Sequence, residues 1–137
     1  MVFLLVRRLS PYTQNDLYLG IFSEYPLKYK REYIDYIEAN GDPYKNQAYF
    51  EVDLEKDIEI IEHNVKAEDD VYVIVSVLSG MGQVMLEVIR ITSDLEECKR
   101  KIKKHHEEND DDSYIEHCMY FTMKFNTLYY TPHELYD

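Results

Sequence analysis

The residues best able to do chemistry in this chain are carboxylates. Glu107, Glu108, Asp110, Asp111, Asp112 and Glu116 gather in one short stretch. Carboxylates spaced along a loop imitate a row of phosphates in charge, though not in geometry. The run therefore reads as a docking patch for a basic protein surface, including a nucleic-acid-binding protein whose groove it would occupy. The competing reading is a solvated loop after a helix. The mid-loop glycine and the bidentate glutamate that an EF-hand requires are missing, and adjacent carboxylates repel, so the run allows at most a weak, nonspecific cation site.

Metal ligation is the next chemistry to weigh. Cys98 and His105 fall seven residues apart, on one face of a predicted helix, yet Cys98 belongs to that helix's apolar stripe. His117 and Cys118 are neighbours on a predicted strand and point to opposite faces. No two ligands, His106 included, share the close paired spacing of a structural zinc site. The reading is no metal and no cofactor. Nucleophile motifs are missing too: no Gly-flanked Ser, no P-loop and no dinucleotide fingerprint forms around Gly20, Gly41, Gly80 and Gly82. Carboxylates abound, so none is singled out as an acid–base pair. Nothing argues for an enzyme.

A second constellation is set by position. Asn40, Asp42 and Tyr44 follow the first predicted helix, and Asn109, Asp111 and Tyr114 follow the second. Asn and Asp there serve caps and turns. With both loops on one edge, they would form a paired polar and aromatic rim for a protein or a small polar ligand.

The elements that must carry these residues follow from periodicity. Val2–Leu9 reads as a buried strand, Ser10–Asn15 as a turn and Asp16–Phe22 as an antiparallel partner. A helix starts near Ser23 or Tyr25, with Pro26 in its first turn and Tyr29, Tyr33, Tyr36 and Ile37 on one face; Asn40-Gly41 closes it. Gln47–Leu54 reads as a third strand, with Phe50, Val52 and Leu54 inward, and Ile58–Ile61 as a short fourth. The same order recurs: strand Val71–Leu78, turn Ser79–Gln83 and strand Val84–Ile91. A helix follows, with a Ser93/Glu96 capping box and the stripe Leu95, Cys98, Ile102. Its acidic residues lie at the start and Lys99–Lys104 toward the end, as the helix dipole favours.

The recurrence extends to identities. At a constant offset of 69 residues, Val2/Val71, Val6/Val75, Leu9/Leu78, Ser10/Ser79, Gln14/Gln83 and Leu17/Leu86 match, and Met119, Phe121 and Met123 fall opposite Phe50, Val52 and Leu54. The fold class expected is α+β, a tandem duplication of a strand–strand–helix–strand unit, with antiparallel or mixed sheets covered by two helices. Two units of this size are marginal alone. We therefore expect residues 1–137 to form one compact domain of two pseudo-symmetric repeats, 1–64 and 70–131, followed by a C-terminal tail that frays.

Net charge is −12, from 27 acidic and 15 basic residues, which repels nucleic acid and anionic membrane and favours basic protein partners. Fourteen tyrosines without tryptophan suit half-wet interfaces. The opening apolar run before Arg7 and Arg8 is too short for a signal peptide or a membrane span, and the two cysteines read as thiols, so a cytoplasmic setting is expected.

Short, acidic, Tyr-rich, duplicated and without catalytic motifs, the chain is similar in style to small accessory proteins of viruses and bacteriophages. Several of those bind and block a host-defence or regulatory factor. The resemblance implies an inhibitory, non-enzymatic protein-binding module in the host cytoplasm. The rival readings are a self-assembling structural protein, as a homodimer or larger particle, and a small-ligand binder with its pocket between the repeats.

Overall fold

The computed structural model describes residues 1–9, 16–45, 51–64, 70–80, 83–108 and 115–135. Strands β1 (Val2–Arg8) and β2 (Asp16–Phe22) are followed by helix α1 (Leu27–Asn40), a one-turn helix α2 (Leu54–Asp57) and strand β3 (Ile58–His63). Then come β4 (Asp70–Gly80), β5 (Gln83–Thr92), helix α3 (Leu95–Glu108) and β6 (Ile115–Lys124). The described chain closes with a 3-10 turn, Pro132–Leu135.

The architecture is α+β with two three-stranded antiparallel sheets, ordered β2-β1-β3 and β5-β4-β6. Both sheets are covered on both faces. Val2, Leu4, Val6, Tyr18 and Ile21 of the first sheet meet Val71, Val73, Ile91, Phe121 and Met123 of the second in one apolar cluster. On the far side of the first sheet, Leu5, Leu17, Leu19 and Ile58 pack on Tyr33, Ile34 and Ile37 of α1. On the far side of the second, Ile74 and Tyr72 pack on Cys98 and Ile102 of α3. The layers thus run α1, first sheet, second sheet, α3. Cys98 is fully buried, as its place in the apolar stripe predicts.

The third strand differs from the sequence expectation. Residues 51–53 lie in no regular element, Leu54 opens α2, and the strand that pairs with β1 is Ile58–His63; residues 46–50 lie outside the described residues. A sheet covered on both faces does not need alternation. Ile60 goes to the α1 side and Ile61 to the space between the sheets. Strict alternation therefore favoured the wrong run.

Register limits the gapless repeat. Both central strands carry a bulge at aligned positions, Leu5/Val6 and Ile74/Val75. However, Leu5 faces Gly20 while Ile74 faces Arg90, which displaces the second strand by one residue from the constant offset. Val2 faces His63 and Val71 faces Met123, so the strand equivalent to β6 is β3, not 47–54.

The helix ends follow local chemistry. Pro26 precedes α1 and its carbonyl accepts from Lys30 N–H at 3.0 Å. Gly41 closes it at φ 89°, where L side chains are disfavoured, and its N–H donates to Ile37 O. Asp94, rather than Ser93, caps α3: its carboxylate accepts from the amides of Glu96 and Glu97 at 3.0 and 3.2 Å. Thr92 supports it by accepting from Asp94 N–H and bonding Glu97. Because α3 runs to Glu108, its last turn carries acid, against the dipole, rather than ending on Lys104.

After β6 the chain crosses back to the first sheet. The amides of Asn126 and Tyr129 donate to Ile21 O and Leu19 O, each at 2.8 Å, along the outer edge of β2. Asn126 sits at φ 61°, and its Oδ1 accepts from Ser23 N–H and Oγ–H. Tyr130 lies 4.2 Å from the ring of Tyr36. Pro132 is buried, so the segment expected to fray is seated at its start.

Candidate functional site

The loop after α1 is organised around a buried cation. Arg7 lies on the α1 side of β1 and is only 1% exposed. Its guanidinium donates to Asp42 Oδ1 and Oδ2 at 2.9 and 2.6 Å and to the Tyr33 hydroxyl at 3.0 Å. The ring of Tyr44 lies 5.7 Å from its Cζ. Burial pulls the Arg7 pKa down, but the hydrogen bonds to Asp42 and Tyr33 outweigh it and the pKa rises, so the charge is secure. Burial would raise the Asp42 carboxyl; Arg7 and the Tyr44 amide reverse that and hold it below the usual range.

Two members of the expected rim therefore turn inward. Asp42 is spent on Arg7, and Tyr44 is 2% exposed. Asn40 is exposed and its Nδ2 donates to Tyr36 O, which ends the helix. Sequence reasoning did not find Arg7. The available signal was period: Leu5 and Arg7 share a strand face, and a charge on an inward face demands a counter-charge. At the constant offset of 69, Arg7, Tyr33 and Tyr44 correspond to Ser76, Ile102 and Ser113, so the residue types of this cluster do not recur.

This anchored loop forms one wall of a groove of about 1020 Å³. Ile34 and Ile37 of α1 supply apolar lining; Glu38, Glu51, Asp53 and Asp57 supply negative charge, against Lys45 and Lys56. The opposite wall is fixed to α1, because Lys30 Nζ donates to Glu55 O at 2.9 Å and Arg31 pairs with the Glu55 carboxylate. Glu38, Glu51 and Asp53 are exposed. The volume is at the upper end for small-ligand pockets, with an apolar floor and an acidic rim. Such a surface takes long basic side chains, with their stems on the isoleucines and their charges on the rim.

The other acidic constellation is reached only in part. Glu107 is exposed in the last turn of α3, and Glu108 is its final residue. Glu116 lies on β6 opposite Leu78. Asp110, Asp111, Asp112 and Tyr114 lie outside the described residues, as does Asn109. Among the described residues, no group of three or more His, Cys, Asp or Glu is placed to hold a metal ion. No helix among them is long and apolar enough to cross a membrane.

No family model, curated protein or solved structure matches the chain.

Proposed function

We propose that this chain is a non-enzymatic acidic module that binds a basic protein surface. In this reading it is an inhibitor of the viral accessory type, directed at a host-defence or nucleic-acid-binding factor in the cytoplasm. The observation that carries the reading is the groove between α1 and α2. Its apolar floor and charged rim have the composition of a protein-docking surface, and its sign selects cations. The acidic last turn of α3 adds a second patch of the same sign, held there at a cost against the dipole.

The test is capture of a tagged chain's partner at low and high salt, with association rates measured for charge reversals. E38K/E51K/D53K is expected to slow association about tenfold or more, with the difference shrinking at high salt. Reversing Glu107, Glu108, Asp110, Asp111 and Asp112 tests the second patch in the same way. Association that ignores both sets of changes would remove acidic docking from the mechanism.

The two sheets fit descent from one duplicated strand–strand–helix–strand unit. Matching strand order and matching bulges support this, with small insertions accounting for the register differences. A pocket between the repeats gains less support, since the described residues facing each other there are apolar.

A further inference from the structure

We infer that the outer edge of β3 pairs with the same edge of a second copy. The two strands run antiparallel about a two-fold axis at Ile61, joining two three-stranded sheets into one of six.

The two outer edges of the first sheet are finished differently. Beyond β2, the amides of Asn126 and Tyr129 bond Ile21 O and Leu19 O. Those carbonyls point outward, so Gly20 and Phe22 bond β1 through their register partners Leu5 and Phe3. That leaves Val2, Leu4 and Val6 to bond β3, through His63, Ile61 and Glu59. Ile58, Ile60 and Glu62 therefore turn their N–H and C=O groups away from β1. The Ile58 amide agrees, since it donates to Leu54 O of α2. Among the described residues, the outward amides and carbonyls of Ile60 and Glu62 have no partner. The strand has no bulge, proline or lysine to blunt this edge.

The same groups choose the register. Two antiparallel strands must set outward residues against outward residues. Pairing Ile60 with Ile60 puts Glu62 against Ile58, whose amide α2 already holds. Pairing Glu62 with Glu62 puts like charges face to face. Pairing Ile60 with Glu62 avoids both, and each such pair exchanges both of its N–H···O bonds. Ile61 then lies beside Ile61 of the second copy at a non-hydrogen-bonded site, with about 4.5 Å between Cα atoms. His63 falls opposite Glu59 of the second copy. His63 is half-buried and makes no hydrogen bond or ion pair among the described residues. Glu59 is exposed and bonds Arg8 through Oε2, which leaves Oε1 for the imidazole. Ile60 and Ile61 are half-buried, and the second strand covers them further. The edge is thus complementary to itself in this register, and that names a second copy as its occupant. Identical surfaces close on the two-fold axis and do not propagate. Each copy carries −12, so association should tighten as salt screens the repulsion, opposite to docking of a basic partner.

Sedimentation velocity from about 1 µM to about 1 mM, at low and high salt, tests this. The wild-type chain should pass from monomer to dimer, and at lower concentration in high salt. E62P removes an amide that β1 does not use, so it should keep the fold and weaken the dimer about tenfold or more. H63E should weaken the dimer about threefold or more and H63K should tighten it, because each faces Glu59 of the second copy. Under mild oxidation, I61C should form a disulfide-linked dimer beyond any seen for the wild type. E62C should not, because Glu62 faces Ile60 and stands two residues out of step with its own copy. Circular dichroism and thermal melting check that each variant is folded; if E62P is not, the His63 pair and the two cysteine variants decide. A wild type that is monomeric throughout, a dimer indifferent to these changes, or cross-linking no better at Ile61 than at Glu62 overturns the inference. If a monomeric wild type binds an extended foreign peptide that E62P releases, the edge belongs to another protein and the inference falls.

Discussion

Arg7 and Asp42 show how much one residue pair decides. Removing Asp42 strands a guanidinium that is 1% exposed, and D42A should cost about 3–5 kcal/mol in urea unfolding. R7M/D42A should cost less than the sum of the single changes, since no charge is left buried. Acid separates two carboxyls. The folded pKa of Asp42 lies below its unfolded value, so its stabilising contribution is full above the unfolded value and is lost as pH falls through the folded one. Asp16 runs the opposite way. Burial raises its carboxyl against the pull of Arg8, so its contribution is full below its unfolded pKa and is lost as pH rises through the folded one. Unfolding midpoints from pH 7 to about 3 should therefore fall less for D42N than for the wild type, and more steeply for D16N. The sequence showed Asp42 as a loop residue and Arg7 as a charge ending an apolar run. Their pairing was not legible, because it joins residues 35 apart through a helix whose position only packing determines.

Elements were legible where one local rule decided them. Asp16–Phe22 and both long helices follow from period, and the stop after Asn40 from its glycine. The third strand was not, because two apolar runs competed and pairing with β1 chose between them. The crossing segment after β6 was equally hidden, since nothing local marks 126–129 as a partner of β2. Its closeness makes a prediction. A Cβ on Gly20 would lie 2.5 Å from the Phe22 ring and 2.7 Å from Thr127 O, so G20A should destabilise by about 1–3 kcal/mol. At Asn126, alanine loses the bonds to Ser23 and also strains at φ 61°, whereas glycine loses only the bonds. N126A should therefore be less stable than N126G by about 1 kcal/mol, measured by thermal melting.

At the scale of the whole molecule, the two sheets share one core. Either half alone would expose Val2, Leu4, Val6 and Ile21, or Val71, Val73, Phe121 and Met123. Each side chain left in water forfeits about 1.5–3 kcal/mol. Residues 1–64 expressed alone should thus lack dispersed amide resonances in nuclear magnetic resonance, and cleavage near Val65 should release no stable half. The crossing segment also sets a timetable. Ser23 and its partner Asn126 are 103 residues apart in the chain. On a ribosome adding about 5–20 residues per second, the outer edge of β2 waits roughly 5–20 s for that partner to be made. Throughout that interval the apolar β2 segment lacks the chain that covers its edge and the sheet that completes its core, and is open to mispairing between neighbouring chains on one message.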